Sequence, residues 1–275
     1  MLPAQRQERI LEELQRSGGV RVSDLTELLG VSDMTIRRDL DALARRGLIS
    51  KVHGGATLPR RGSTDEPGFE AKSSQERPAK EAIARRAAEF VQPGTAIAIS
   101  AGTTTHALAR YLTRIPELTV VTNSLPVAEV LHAHDRPDRV VVLVGGVRTP
   151  SNALVGPVAM QTIRSLHVDC LFMGVHGIDP AAGFTSPNLV EAETNRAMVA
   201  ATRRLVVLAD HTKWGVVGLS TIASLDEASV LITDTGLEPE AREALTGRVG
   251  ELLLVEPAQI GLVKVPSLDA AGVSA

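Results

Sequence analysis

The chain has 275 residues, 29 Lys and Arg against 32 Asp and Glu, a formal net charge of −3, and few aromatics: four Phe, one Trp and one Tyr. That length allows two domains with cores of Ala, Val, Leu and Ile, and so few rings argue against a base-stacking surface for single-stranded nucleic acid. The single cysteine, Cys170, lies in the apolar run Cys170-Leu171-Phe172-Met173 and excludes a disulfide framework or a cysteine-rich zinc site. No apolar stretch reaches membrane-spanning length and the start lacks a signal-peptide core, so the expectation is a soluble cytoplasmic protein.

In chain order, Gln5 to Arg16 places Ile10, Leu11 and Leu14 on one helical face, and Ser17-Gly18-Gly19 stops it. Val20 and Val22 form a short extended segment leading to an expected N-cap at Ser23, and the helix that follows ends at Gly30. Ser32 is the N-cap of the next helix, in which Ile36, Leu40 and Leu43 recur at i, i+4 and i+7 and face a core. Met34 and Arg38 lie near the opposite side, flanked by Thr35 and Arg37. After Gly47 a strand is expected over Leu48 to Val52, then a turn at His53-Gly54-Gly55 and a return through Ala56-Thr57-Leu58, a hairpin beside the helix pair. Residues 32–61 hold seven Lys or Arg (Arg37, Arg38, Arg45, Arg46, Lys51, Arg60, Arg61) against Asp33, Asp39 and Asp41, a local +4. A basic patch on an acidic chain implies an anionic partner for that patch. Helix, tight turn and a second helix with a basic leading edge is the geometry that enters a DNA major groove.

The segment Arg6 through Ala56, with Val-Ser-x-x-Thr-Ile-Arg-Arg-Asp-Leu and its His-Gly-Gly-Ala hairpin, resembles the winged helix-turn-helix of the DeoR family of bacterial transcriptional regulators. The resemblance implies a DNA-facing set of Ser32, Asp33, Met34, Thr35, Arg37 and Arg38, with Lys51, His53 and Gly54 on the wing. Which of Arg37 and Arg38 reads a base stays open. Lys51 stands where the family often has Arg, keeping the charge without the bidentate fork.

Domain boundaries follow from composition: 1–58 for the winged helix, 59–74 for a linker rich in Pro, Gly, Ser and charge, 75–265 for a larger unit, and 266–275 for a loose tail. The larger unit alternates helices with Val- and Ile-rich runs. Strands are expected at Thr95 to Ile99, Leu118 to Val121, Val140 to Val144, Val168 to Met173, Leu205 to Leu208, Val230 to Thr233 and Leu252 to Val255. Helices are expected at Ala79 to Val91, 103–112, Pro126 to His132, 157–166, 189–202 and 238–246. This pattern means an α/β fold with a parallel sheet covered on both faces. His132 and His134 beside Asp135 are the only close histidine pair, and residues at i and i+2 do not share a helix face, so no metal site is expected.

Ligands of open α/β sheets bind beyond the carboxyl ends of the strands. There the sequence places Gly102-Thr103-Thr104-Thr105, Asn123-Ser124, Gly145-Gly146, Asp179, and Lys213 after Asp210-His211-Thr212. Amides at a helix N-terminus and three hydroxyls suit a phosphate, although Thr103 equally suits a helix cap. Lys213 is a point charge matched to phosphate. Asp179 and Glu191 suit either sugar hydroxyls or a local cap.

Residues 79 to about 235 resemble the sensor domain of the same family through Gly-Thr-Thr, Thr-Asn-Ser, Gly-Gly, Asp-x-x-Phe-x-Gly-x-x-Gly-Ile-Asp and Ala-Asp-x-x-Lys-x-Gly. The resemblance implies a fold similar to ribose-5-phosphate isomerase, a phosphorylated sugar or polyol as effector, and an effector set of Gly102, Thr103, Thr104, Thr105, Asn123, Ser124, Gly145, Gly146, Asp179, Glu191 and Lys213. Ser100 replaces an Asp frequent in the family and removes one acceptor for a sugar hydroxyl. The function implied is a repressor of carbohydrate or polyol genes, without cofactor, binding operator DNA as a homodimer or homotetramer.

The alternative is an isomerase carrying a DNA-binding appendage. Enediol chemistry needs a positioned carboxylate base. The stretch that is acidic in the isomerases is here Gly174-Val175-His176-Gly177, preceded by Met173, which favours binding without turnover. No G-x-G-x-x-G follows a strand and no Walker A sequence is present, which argues against a dinucleotide or nucleotide site.

Overall fold

A computed structural model describes residues 2–17, 19–52, 54–57, 64 and 68–257. His53, Arg60 and Arg61, expected near DNA, and the C-terminal tail lie outside the described residues.

The amino-terminal unit contains α1 (Pro3–Ser17), β1 (Gly19–Arg21), α2 (Val22–Leu29), α3 (Asp33–Arg45), β2 (Ser50–Val52) and β3 (Gly55–Thr57). The strands form an antiparallel sheet with β3 in the centre, between β1 and β2. Ile36, Leu40 and Leu43 are buried with Ile10, Leu14 and Leu25, as their spacing requires. Ser32 caps α3, its hydroxyl accepting from the Thr35 amide at 3.3 Å.

Two local expectations change. α2 starts at Val22, one residue before the expected cap Ser23, because the Val22 amide donates to the Gly54 carbonyl at 2.8 Å. The wing backbone thus satisfies a donor that a cap side chain would otherwise take. β2 starts at Ser50 rather than Leu48, because the Leu48 amide folds back to the Leu43 carbonyl (3.1 Å) and both Leu48 and Ile49 enter the core.

Asp39, within the Arg-Arg-Asp motif, points inward. Its carboxylate accepts from the Arg6 guanidinium of α1 and from Gln7 Nε2 at 3.2 Å, and the side chains of Arg6 and Asp39 are 9% and 5% exposed. A buried pair of this kind is fragile to loss of one partner, since the remaining charge stays desolvated.

The second unit begins with α4 (Phe69–Ser73) and α5 (Arg77–Ala88), followed by β4 (Ala96–Ile99), α6 (Thr103–Leu112), β5 (Thr119–Thr122), α7 (Leu125–Ala133) and β6 (Val140–Leu143). A short hairpin, β7 (Val147–Arg148) and β8 (Leu154–Val155), leads to α8 (Pro157–Arg164), β9 (Cys170–Gly174), β10 (Gly177–Asp179), β11 (Gly183–Ser186) and α9 (Leu189–Ala200). The remainder is β12 (Leu205–Leu208), β13 (Ser220–Ala223), β14 (Val230–Asp234), α10 (Pro239–Leu245) and β15 (Leu252–Val255).

Seven strands form one parallel sheet in the order β15-β14-β12-β9-β4-β5-β6. Successive residues of each strand serve opposite faces. Phe172 and Ile99 pack under Ile83, Leu108 and Leu131 of α5, α6 and α7, whereas Leu171 and Met173 pack under Ile163, Met198 and Leu245 of α8, α9 and α10. The strand order runs outward in both directions from β4 and β9, so the connections leave the sheet on opposite sides there. That is the switch point at which a crevice opens.

The hairpin β7–β8 and the antiparallel sheet β10-β11-β13 were not expected from the sequence. Residues 68–74, expected in the linker, include α4, whose first amide donates to the Pro150 carbonyl of this unit at 3.2 Å. No helix among the described residues is long and apolar enough to cross a membrane.

Replacing Asp39 by Ala is expected to destabilise the amino-terminal unit by about 3–5 kcal/mol, read as faster hydrogen exchange at the core amides of α3; unchanged exchange would remove the pair from the stability of this unit. Burial pushes the Cys170 thiol up to about 12. The thiol is therefore expected to resist iodoacetamide at pH 8 in the native protein and to react fully in urea.

Candidate functional site

Two surfaces carry the expected functional residues. On α3, Ser32, Asp33, Met34, Arg37 and Arg38 are exposed and Thr35 is half-buried, all away from the core face. Met34 is 68% exposed. The cations on this surface are not equivalent. Arg37 Nε donates to Asp33 Oδ1 one turn earlier (2.5 Å), and Lys51 Nζ on the wing donates to Asp41 Oδ1 (2.5 Å). Arg38 has no hydrogen-bond or ion-pair partner among the described residues. Gly54 turns the wing at φ +77°, a conformation that disfavours side chains.

The second surface is a cavity at the β4/β9 switch point. Its floor is Ala101, Gly102, Thr103 and Thr104 from the β4–α6 turn and Gly174, Val175 and His176 after β9. Its walls are Ser151, Ser186, Pro187, Glu191, Asn195 and Lys213, closed by Phe69 and Lys72 of α4. Gly102 is the N-cap of α6, so the free amides and positive dipole end of that helix face the cavity. A Cβ on Gly102 would sit 3.0 Å from Thr105 Oγ1 and 3.8 Å from Gly174 Cα, so the two strand ends pass closely. Ser100, fully buried, stitches them together: its hydroxyl accepts from the Gly174 amide at 3.1 Å.

Lys213 ends a single 3₁₀ turn (His211–Lys213) held by two buried carboxylates. Asp210 Oδ1 accepts from the Thr212 amide (3.1 Å) and hydroxyl, and Lys213 Nζ lies 4.0 Å from Asp210 Oδ2. Asp234 Oδ1 accepts from the His211 amide, and its Oδ2 lies 2.8 Å from His211 Nδ1. The hydrogen bond to Asp234 raises the His211 pKa, and although burial opposes ionisation of Asp234, its bonds to His211 leave its carboxyl below the usual range. The turn that presents Lys213 is thus fastened by a charge-assisted bond.

Glu191 sits in the first turn of α9, which Asn188 caps by accepting from the amides of Val190 and Glu191. The Glu191 carboxylate accepts from the hydroxyls of Thr149 and Ser151, fixing that loop against α9. It is the one carboxylate among the described residues lining the cavity.

Of the eleven expected effector residues, Gly102, Thr103, Thr104, Glu191 and Lys213 line this cavity. The other six are placed elsewhere, for stated reasons. Thr105 is fully buried and its hydroxyl donates to the Gly102 carbonyl at 3.0 Å. Asn123 Oδ1 accepts from the Ala101 amide at 2.8 Å, holding the turn that carries Gly102, and Ser124 caps α7. Gly145 and Gly146 lie before the β7–β8 hairpin, where a Cβ on Gly146 would come 2.4 Å from the Val155 carbonyl oxygen. Asp179 Oδ1 accepts from the amides of Ala181 and Ala182 (2.8 Å each), closing the β10–β11 turn.

Sequence reasoning missed Phe69, Lys72, Ser151, His176, Ser186, Pro187 and Asn195. Asn195 follows Glu191 by one helical turn, a spacing that could have revealed it; nothing in the sequence brings Phe69 and Lys72 to a site 30 residues away in the chain and beyond.

The DeoR-like helix-turn-helix domain family matches residues 6–61, and the DeoR C terminal sensor domain family matches residues 75–235. An HTH-type transcriptional regulator, GlpR, from Haloferax volcanii is 39% identical over 246 residues, covering 89% of this chain and 95% of the relative. A glycerol-3-phosphate regulon repressor from Escherichia coli K12 is 32% identical over 247 residues, covering 90% and 96%. Among solved structures, ribose 5-phosphate isomerase A from Neisseria gonorrhoeae aligns with a TM-score of 0.38 at 20% identity, over 54% of this chain and 57% of that one. With both its halves matched in order and relatives aligned along nearly their whole lengths, the chain belongs to the DeoR family of transcriptional regulators.

Proposed function

We propose that the protein is a one-component repressor whose operator affinity is set by a phosphorylated sugar or polyol in the switch-point cavity. The observation that carries this reading is a single chain holding both a recognition helix with exposed arginines and a cavity lined by the α6 N-terminus and Lys213. Amides at a helix N-terminus together with an ammonium favour a phosphate. Ser151, Ser186, Glu191 and Asn195 supply the opposite wall with hydroxyl, carboxylate and amide groups suited to a polyol chain. Turnover is not part of the proposal: the lining carboxylate, Glu191, is already held by Thr149 and Ser151. A relative named as a glycerol-3-phosphate regulon repressor supports the ligand class.

On DNA, Arg38 is assigned to a base edge or phosphate directly, whereas Arg37 meets the duplex with part of its guanidinium already bonded to Asp33. A lone winged helix makes a small interface, so two copies on paired half-sites are needed for specific binding. The protein is accordingly proposed to act as a homodimer or homotetramer.

Arg38→Ala is expected to weaken binding to DNA from the protein's own promoter region by about 1–3 kcal/mol, read by anisotropy titration at several salt concentrations. Normal affinity with an unchanged salt slope would take Arg38 out of the interface. In a thermal-shift screen of phosphorylated sugars and polyols, at least one ligand should raise the melting temperature of the wild type. The double variant Thr104→Ala, Lys213→Ala should lose that shift; if it keeps the full shift, the ligand binds elsewhere.

A further inference from the structure

The cavity is closed by two side chains from outside both matched family regions: Phe69 and Lys72 of α4. α4 is five residues long and buries none of them, so it cannot hold itself in place. Three contacts among the described residues anchor it. The Phe69 amide donates to the Pro150 carbonyl (3.2 Å), between Thr149 and Ser151, the two residues that bind Glu191. The Phe69 ring meets the His106 ring edge-on at 5.5 Å, one turn into α6 from the Thr103 end. The Lys80 ammonium, on α5, donates to the carbonyls of Lys72 (2.7 Å) and Gln75 (2.6 Å). Each anchor is thus adjacent to a residue of the cavity wall.

The third anchor is also electrically tied to the cavity. Lys80 is only 4% exposed, and burial pushes its pKa down to about 8, with Asp210 holding it up and Lys213 pressing it further down. Asp210 Oδ2, buried between these lysines' influence, has no hydrogen-bond partner among the described residues. An anion beside Lys213 offsets the charge that opposes Lys80 and so strengthens the ammonium that grips the α4–α5 turn. Only residues 58–67 separate Thr57 of the wing from Gly68, a tether that spans at most roughly 40 Å.

We propose that residues 68–77 form a strap that completes the effector cavity: Phe69 and Lys72 touch the bound phosphate ester, and the seating of the strap, latched by Lys80, passes occupancy to the DNA-binding unit. The proposal rests on the effector reading above. An occupied cavity seats the strap and so limits the positions the winged helix can reach on paired half-sites. An empty cavity leaves the strap to its anchors at Pro150, His106 and Lys80.

The test is hydrogen exchange on the full-length protein with inorganic phosphate, glycerol 3-phosphate, ribose 5-phosphate and glucose 6-phosphate as probes, alongside operator titration with the same probes. For the wild type, at least one ester should slow exchange both at 103–105 and at 69–76, and should change operator affinity about fivefold or more. Lys80→Met should keep basal operator binding and the slowing at 103–105 but lose the slowing at 69–76 and the operator response. His106→Ala, which removes the ring under Phe69, is the second variant should Lys80→Met fail to fold, with the same expected split. Slowing at 103–105 without slowing at 69–76 in the wild type overturns the strap and leaves the effector reading standing. Variants that respond as the wild type does overturn the latch. Slowing at neither segment with every probe overturns the effector reading and the strap together.

Discussion

The arrangement depends on one close approach, that of β4 and β9 at their carboxyl ends. The parallel sheet places these two strands side by side while their connections depart to opposite faces, so a crevice opens above them. The Ser100 hydroxyl bonded to the Gly174 amide closes the floor of that space without occupying it. Asn123 then fixes the next turn from β5, and Gly102 lets the two backbones pass. A carboxylate at position 100 would bring a charge to a fully buried site; the serine meets the same amide as a neutral acceptor. The α6 N-terminus is therefore aimed into that crevice.

Charge is divided between the two units in a way that suits two anions of different size. On α3 the basic residues sit on an exposed face, and the acids among them have separate tasks: Asp39 fastens α3 to α1, whereas Asp33 and Asp41 hold Arg37 and Lys51 in place. The duplex contact is accordingly left to an exposed surface that water and salt screen strongly. In the cavity, Lys213 is mostly buried and fixed by a turn with two carboxylates beneath it, so the small anion proposed above would meet a less screened site. The strap proposal joins these two surfaces through the Lys80 anchor and the short tether that follows from the chain itself.

Much of this was legible before any coordinates. The spacing of Ile36, Leu40 and Leu43 identifies the inward face of α3, and the apolar runs at 170–173 and 205–208 identify buried strands, because both are repeated patterns that local geometry enforces. What stayed hidden depends on single side chains choosing between a ligand and the backbone. Thr105, Asn123, Ser124 and Asp179 are all polar residues beyond strand ends, yet each is turned to a backbone group at hydrogen-bond distance. Strands β7, β8 and β10 have two or three residues each, and β11 (Gly183–Ser186) and β13 (Ser220–Ala223) mix Gly, Ser and Thr with apolar residues, so none shows the apolar run that marks β12. Phe69 and Lys72 lie in a stretch whose composition reads as linker, and only the tertiary anchors at Pro150, His106 and Lys80 draw them to the cavity.

The central claim is that an anion in the crevice of one unit alters the grip of the other unit on DNA. It is tested most directly by measuring operator affinity at fixed ionic strength with and without a phosphate ester that calorimetry shows to be bound. The account predicts a shift in affinity of roughly 5–150-fold. A ligand that saturates the crevice while operator affinity stays the same would contradict it.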